Sequence, residues 1–390
     1  MTTIDFCNGG VPRSGRRRSG AFLWLLRVAD KARAARAGVL GEYVYPCPID
    51  VGMMERWGIT PAQFDRAIAT HGDDGAIVEW LEARATQRAA EAANAWLETT
   101  KSDNLDRQDR EERGIVCTNC GVAYPPAVEQ RATCPICEDE RVTKPAGQTW
   151  ISPDELGATH ACEIRVCEAG LASITVRPSF AIGQRAMLVE QDDGVVLWDC
   201  LPMVDRSALD YVSARGGLKA IALSHPHFYG AMAGWSEAFG GTPVYVHEAD
   251  REWVVNPPKT IVYWSGDVRE IAPGVTLIRC GGHFDGGTVM HVGSAASGAG
   301  ALLTGDTIMV NQYGSGVSFM RSYPTYVPLH AEQIRHIQAV LEPFSFGALY
   351  GAWWDRFIAR NGKAVVAQTA ERYLGIASAS PKERTARRAR

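Results

Sequence analysis

The side chains best suited to metal chemistry in this chain of 390 residues are its ten cysteines and nine histidines. Four of the cysteines fall in two C-x-x-C units, Cys117-Thr-Asn-Cys120 and Cys134-Pro-Ile-Cys137. Two such units can present four thiolates to one tetrahedral Zn2+, with Zn–S bonds of about 2.3 Å. Gly121 allows a tight turn after the first pair. A four-thiolate set leaves no coordination position open, so its expected role is structural, and a segment this short needs the ion to fold. A second group is spread more widely. His225-Pro226-His227 follows the apolar run Ala220-Ile221-Ala222-Leu223, so two imidazoles can address one ion from a strand end. Gly281-Gly282-His283 offers a third imidazole on a pliant backbone. Thr304-Gly305-Asp306 and Trp198-Asp199 each place a carboxylate where a strand ends.

The order and spacing of these elements resemble the metallo-β-lactamase superfamily over roughly residues 155–375. In that family the pattern is strand-Asp, H-x-H-x-D-H, Gly-His, Gly-Asp and a late His. Asp199, His225, His227, His283 and Asp306 match it position for position. Where the family has the D-H pair, this chain has Tyr229-Gly230, and its final strand runs Ala348-Leu349-Tyr350-Gly351-Ala352-Trp353 without a histidine. The resemblance implies one metal site, with His225, His227, His283 and Asp306 as ligands of a single Zn2+ or other divalent transition metal. It implies Asp199 as a residue supporting the ligands. The second metal's ligands are the ones that are missing.

Three readings of the function remain open. A Lewis-acidic ion lowers the pKa of water toward neutrality, which suits a hydrolase acting on a small ester, thioester or lactone, with Asp306 and Tyr229 as candidate catalytic groups. A phenol at position 229 can donate to an oxyanion but is a poor base at neutral pH. With iron, two imidazoles and Asp306 make a facial triad with open positions, as in oxygenase-like members of the family. The third reading is a non-catalytic member that binds a ligand through the old cleft. Arg321 and Tyr323, in the loop after Asp306, are candidate substrate contacts.

The elements that must position these groups follow from periodicity. Alternating apolar strands are expected at 173–176, 186–190, 195–198, 220–223, 244–246, 276–278, 288–291 and 301–303, and helices at 206–215, 231–239, 331–341 and 364–373. The expected fold is α+β: a four-layer αβ/βα sandwich of the metallo-β-lactamase type at 151–375, preceded by a mostly helical domain at 1–100, a charged linker at 101–114 and a zinc ribbon at 115–150. A basic disordered tail is expected at 376–390. The ribbon is expected to act as an adaptor between its neighbours. In the helical part, Phe22, Leu25, Leu26 and Ala29 fit an amphipathic helix better than a signal segment. Thr60-Pro61-Ala62-Gln63 reads as a capping box opening a helix that Gly72 ends, and a second helix is expected from Asp74 to Thr99. Asp30-Lys31-Ala32-Arg33-Ala34, Gly41-Glu42-Tyr43 and Cys47-Pro48 resemble an uncharacterised bacterial domain family with no established chemistry. Asp30, Lys31, Arg33 and Glu42 are expected to be structural ion-pair formers, with a protein partner for this domain as the alternative.

Composition sets outer limits. Apolar residues make up 46% and charged residues 22%, with a net charge of −4, so large cores can form and no strong anionic partner is indicated. Arg13, Arg16, Arg17 and Arg18, and the run from Lys382 to Arg390, are expected to be solvated tails. The loop between the two C-x-x-C units carries only Arg131 as a basic residue, and Glu129, Glu138, Asp139 and Glu140 are acidic, which argues against nucleic acid. No apolar stretch reaches the roughly 20 residues of a membrane span. A soluble cytoplasmic protein with a small-molecule substrate is the expectation.

Overall fold

The computed structural model describes residues 3–126, 132–142 and 147–378; Glu129, Arg131 and the basic run Lys382 to Arg390 lie outside the described residues. The chain divides into two compact units, one of residues 1–115, 126–128 and 151–158, the other of residues 116–125, 129–150 and 159–390.

The first unit is helical. Helix Leu25–Ala37 turns Leu25, Val28, Ala29 and Ala32 into a core shared with Met53, Trp57, Phe64, Leu81 and Leu97. The capping box forms, with Thr60 N donating to Gln63 Oε1 at 2.8 Å, and helix Pro61–Thr70 ends at His71, one residue before the expected glycine. The single helix expected from Asp74 to Thr99 is instead two, Asp74–Glu82 and Gln87–Thr100, because Thr86 caps the second by accepting from Ala89 N. The expected linker is also helical, over Ser102–Arg113. Its Glu, Gln and Arg residues favour helix, and Leu105 and Asp109 are buried along it.

In the first arginine run Arg13 and Arg16 are tied into this unit and are not a solvated tail, whereas Arg17 and Arg18 are exposed. Arg16 pairs with Asp106 and Asp109, and Arg13 with Asp30 and Asp74. Arg33 reaches Asp74 at 2.7 Å. Lys31 Nζ lies 2.6 Å from Asp50, whose other oxygen accepts from Trp24 Nε1, and both charged side chains are almost fully enclosed. Asp30, Lys31 and Arg33 are thus internal ion-pair partners, while Glu42 is exposed.

The second unit is built on two sheets. Seven strands lie in the order Ile261–Trp264, Val244–His247, Leu218–Ala222, Gly194–Trp198, Arg185–Gln191, Leu171–Arg177, Ala161–Glu168. Six lie in the order Val268–Ala272, Val275–Arg279, Thr288–Val292, Ala301–Gly305, Ala348–Gly351, Phe357–Ile358. Every second residue points inward, as strand periodicity demands. Met187, Val189, Val196, Trp198, Ala220 and Ala222 of one sheet therefore meet Leu277, Met290, Val292, Ala301 and Leu303 of the other in one core. The opposite face of the second sheet, with Ile278, Val289, Leu302 and Leu349, packs under helices Ala331–Leu341 and Gly362–Ser378 through Ile334, Ile337, Val366 and Ala370. Helices Arg206–Ser213 and Met232–Ala238 belong to the crossovers of the first sheet, whose Leu188, Leu197 and Ile221 are buried away from the shared core. The α+β layering is as expected. Strand Ala161–Glu168, absent from the expected set, is an edge strand with no fully buried residue. Among the described residues no helix is long and apolar enough to cross a membrane.

Candidate metal centre

Three strand ends bring the histidine group together. Beyond strand Leu218–Ala222, His225 is fully extended, as a residue before proline prefers. The 3-10 turn Pro226–Phe228 then swings His227 back, leaving the two ring centres 4.9 Å apart. His283 follows two glycines in the left-handed region, and a Cβ on Gly282 would stand 2.5 Å from Leu329 Cδ1. Asp306 comes directly after strand Ala301–Gly305.

One ligand atom from each of His225, His227, His283 and Asp306 lies within 4.8 Å of every other, and all four residues are buried. His283 Nε2 is 3.4 Å from His227 Nδ1 and 3.8 Å from Asp306 Oδ1, and His225 Nε2 is 2.9 Å from the same oxygen. A tetrahedron with bonds of about 2.05 Å has edges of about 3.3 Å, so these spacings fit one shared ion. His225 Nε2 and Asp306 Oδ1 make no hydrogen bond despite their closeness, and both are buried without another partner. Their lone pairs converge on a common point and not on each other.

The outward ring nitrogens are held. His283 Nδ1 donates to Arg321 O at 2.9 Å. His225 Nδ1 lies 2.8 Å from Ser224 Oγ, and Ser224 N donates to Asp199 Oδ1 at 2.8 Å. Asp199 is therefore linked to His225 through Ser224. Burial lowers the His225 pKa to about 3 and that of His283 to about 4, which keeps both imidazoles neutral, the form that binds metal. Burial raises Asp199 to about 8 against the two hydrogen bonds from Ser224.

The group opens on a pocket of about 300 Å³ lined by His227, Asp306, Tyr323, Trp353, Ile182 and Met309, with Asn119, Arg141 and Val142 of the ribbon on the same wall. Tyr323 is on this wall and donates to Asp306 O at 2.8 Å. Arg321 is not; it is about two-fifths exposed and pairs with Glu140. Tyr229 is also off the wall. Its ring is enclosed, its hydroxyl has no hydrogen-bond partner among the described residues, and, apart from burial, the groups acting on it are Asp250, Tyr263 and Asp199. His247 caps the turn Glu248–Trp253 by accepting from Ala249 N, and His330 precedes helix Ala331–Leu341 as its cap. Arg141 is not legible as a site residue in the sequence. It is one arginine in an acidic stretch, and only the fold brings its guanidinium to within 3.6 Å of the Phe284 ring centre.

The four cysteines form the other such group among the described residues. Cys117 and Cys137 sulfurs are 3.5 Å apart, and those of Cys120 and Cys134 are 3.7 Å apart. Zn–S bonds of about 2.3 Å require edges of about 3.8 Å. Asn119 Nδ2 points at Cys137 Sγ, Gln148 Nε2 at Cys117 Sγ and the Tyr124 hydroxyl at Cys134 Sγ. Donors ringed around sulfur suit thiolates and not thiols.

Residues 181–342 match the family model described as the metallo-beta-lactamase superfamily. Residues 10–118 match a domain of unknown function, DUF5069, whose span takes in the helix found in place of the linker. The chain is 41% identical over 262 residues to the uncharacterized protein YmaE of Bacillus subtilis (strain 168), covering 66% of this chain and 95% of that protein. Among solved structures, it is similar to the metallo-beta-lactamase FIM-1 from Pseudomonas aeruginosa in its mono-zinc form (14% identity, TM-score 0.41, 55% of this chain and 96% of that one). It is also similar to a metallo beta lactamase from Hirschia baltica (17% identity, TM-score 0.39, 54% and 96%).

Proposed function

Because the chain belongs to the metallo-beta-lactamase superfamily, we propose that His225, His227, His283 and Asp306 hold a single divalent transition-metal ion, zinc by ligand chemistry, in a hydrolase-like enzyme for a small ester, thioester or lactone. The observation that carries this reading is the convergence of four buried ligand atoms at the end of a pocket that reaches the surface. Such an ion supplies Lewis acidity, lowering the pKa of water and polarising a carbonyl oxygen. The protein's own groups do the rest. Ser224 and the Arg321 carbonyl fix the rings of His225 and His283, and Tyr323 anchors the backbone of Asp306. Ile182, Met309 and Trp353 give the pocket apolar walls. At about 300 Å³ the pocket is at the small end for ligand sites, which supports a small substrate.

A single ion is supported by the backbone at the D-H position. Gly230 has φ +45°, and a Cβ there would lie 2.6 Å from Leu201 O and 2.7 Å from Cys200 O. No histidine fits where the family places a ligand of its second metal. A non-catalytic binding role is favoured by one observation: Asp306 is the only carboxylate on the pocket wall among the described residues. As a metal ligand it leaves no separate base.

Elemental analysis with an activity screen tests both readings. The full chain should carry two ions, one in the ribbon and one in the cleft. His225→Ala and His283→Ala should each retain one and lose any turnover of activated esters, thioesters and lactones. Retention of both ions by the variants would refute the cleft site, while two ions without turnover of any of these classes would favour the binding role. Iron in place of zinc in the cleft would move the activity to the oxygenase class.

A further inference from the structure

The ribbon of a closed four-thiolate type has no evident reason to touch a catalytic pocket, yet the residues just past its second knuckle surround the His283 ligand. The Arg141 guanidinium forks onto Asp139, with Nε at 2.6 Å from Oδ1 and the terminal NH2 nitrogen at 2.7 Å from Oδ2. Its remaining nitrogen donates to His283 O at 3.0 Å. The guanidinium carbon stands 3.6 Å from the Phe284 ring centre, and that ring lies 4.9, 5.3 and 5.6 Å from the rings of His227, His283 and His225. The other side of His283 is held by the Arg321 carbonyl. There Ser322 Oγ donates to Glu140 O at 2.8 Å, and Arg321 Nε meets Glu140 Oε1 at 3.1 Å. Asp139, Glu140 and Arg141 thus grip both the backbone of His283 and the segment that fixes its ring.

We infer that Arg141 is a positioning residue for the cleft metal. It acts through the His283 carbonyl and the Phe284 ring, so the folded ribbon sets the metal affinity of the histidine site. This rests on the reading of the cleft as a metal centre. Groups that orient a ligand in this way typically contribute about 10- to 100-fold to metal affinity. A folded second knuckle fixes where the Asp139–Arg141 segment starts, because Cys137 stands two residues before it. Arginine suits the task because its planar fork can hold Asp139, a carbonyl and an aromatic face together, which a lysine cannot.

Cobalt titration of the metal-free full chain tests this. Thiolate-to-cobalt bands report the ribbon alone, and the weaker bands of a nitrogen and oxygen site report the cleft. Arg141→Met should weaken cobalt binding in the cleft by about 10- to 100-fold, with the thiolate bands at wild-type strength, and Arg141→Lys should fall between that variant and wild type. Ser322→Ala, which cuts the second grip from the cleft side, should weaken the cleft in the same direction without touching the ribbon. Wild-type cleft affinity in Arg141→Met and Ser322→Ala overturns the inference and leaves the metal reading standing. A wild-type chain that shows thiolate bands but never takes a second cobalt overturns the metal reading, and the inference with it.

Discussion

Restoring the family's D-H pair in this chain should damage the protein and fail to create a second metal site. The decisive position is Gly230, which has φ +45° and two backbone carbonyls, Leu201 O and Cys200 O, within 2.7 Å of where a Cβ would stand. A left-handed backbone costs a residue with a Cβ about 1–2 kcal/mol. Overlap with fixed backbone adds about 1–3 kcal/mol, as overpacking does elsewhere. Leu201 O cannot move freely, since it accepts from Ala231 N at 2.9 Å and from Trp235 Nε1 at 3.3 Å. Gly230→Ala should therefore cost about 2–5 kcal/mol, the sum of those two costs. At about 2–4 °C per kcal/mol for a unit of this size, its calorimetric transition should fall by about 4–20 °C. Gly240, just past the far end of the helix that follows, supplies the control, for it has φ +77° and nothing within 4 Å of where its Cβ would stand. Gly240→Ala should lose only the conformational part, about 1–2 kcal/mol. Equal losses in the two variants would refute the steric argument. The double variant Tyr229→Asp/Gly230→His should bind no additional ion, and a gain of one by elemental analysis would refute the single-metal reading.

Two further outcomes concern the helical unit. Lys31→Met strands the enclosed Asp50 carboxylate with Trp24 Nε1 as a remaining donor, and should cost about 3–5 kcal/mol in urea unfolding; a loss below 1 kcal/mol (about the worth of a surface pair) would show that the pair is not desolvated. For Asp74, burial acts to raise the carboxyl pKa, but hydrogen bonds from Arg13 and Arg33 bring it below its usual value. A depressed carboxyl stabilises above its unfolded pKa and loses that contribution as pH falls through the folded one, so Asp74→Asn should cost about 1.5–3 kcal/mol at pH 7 and progressively less below about pH 4, with a pH-independent difference counting against the ion pair.

The two candidate metal-binding groups are legible in the sequence because such chemistry demands residue types and spacings that few other roles share. C-x-x-C pairs, H-x-H after an apolar strand, and a Gly-Gly-His each carry their own geometry. What the motif cannot carry is direction. Position 229 reads as a catalytic place by alignment with the family pattern, yet the turn Pro226–Phe228 sends Tyr229 away from the pocket wall. Helix Ser102–Arg113 has the sequence of a linker because it buries only Leu105 and Asp109, too few residues to show an apolar face. Asp109 has a local partner in Arg113 at 4.0 Å, but its closer contact, at 3.2 Å, is with Arg16, far away in the sequence, and no local pattern records that one. Arg141 escapes notice for the same reason, since its partner His283 is equally remote.

On the reading that both groups hold metal, their spread along the chain has a consequence for how the ions would be acquired as the protein is made. The ribbon's four sulfurs all lie between Cys117 and Cys137, whereas the cleft group draws on His225, His227, His283 and Asp306. A growing chain emerges from its N-terminus. The ribbon can close around an ion while the sandwich is still unsynthesised, but the histidine site has no complete ligand set until Asp306 and the strand before it have paired into the second sheet. Synthesis itself would then separate the two loading events, thiolates first and imidazoles last. A chain starved of metal early would be marked by an empty ribbon before its cleft could exist.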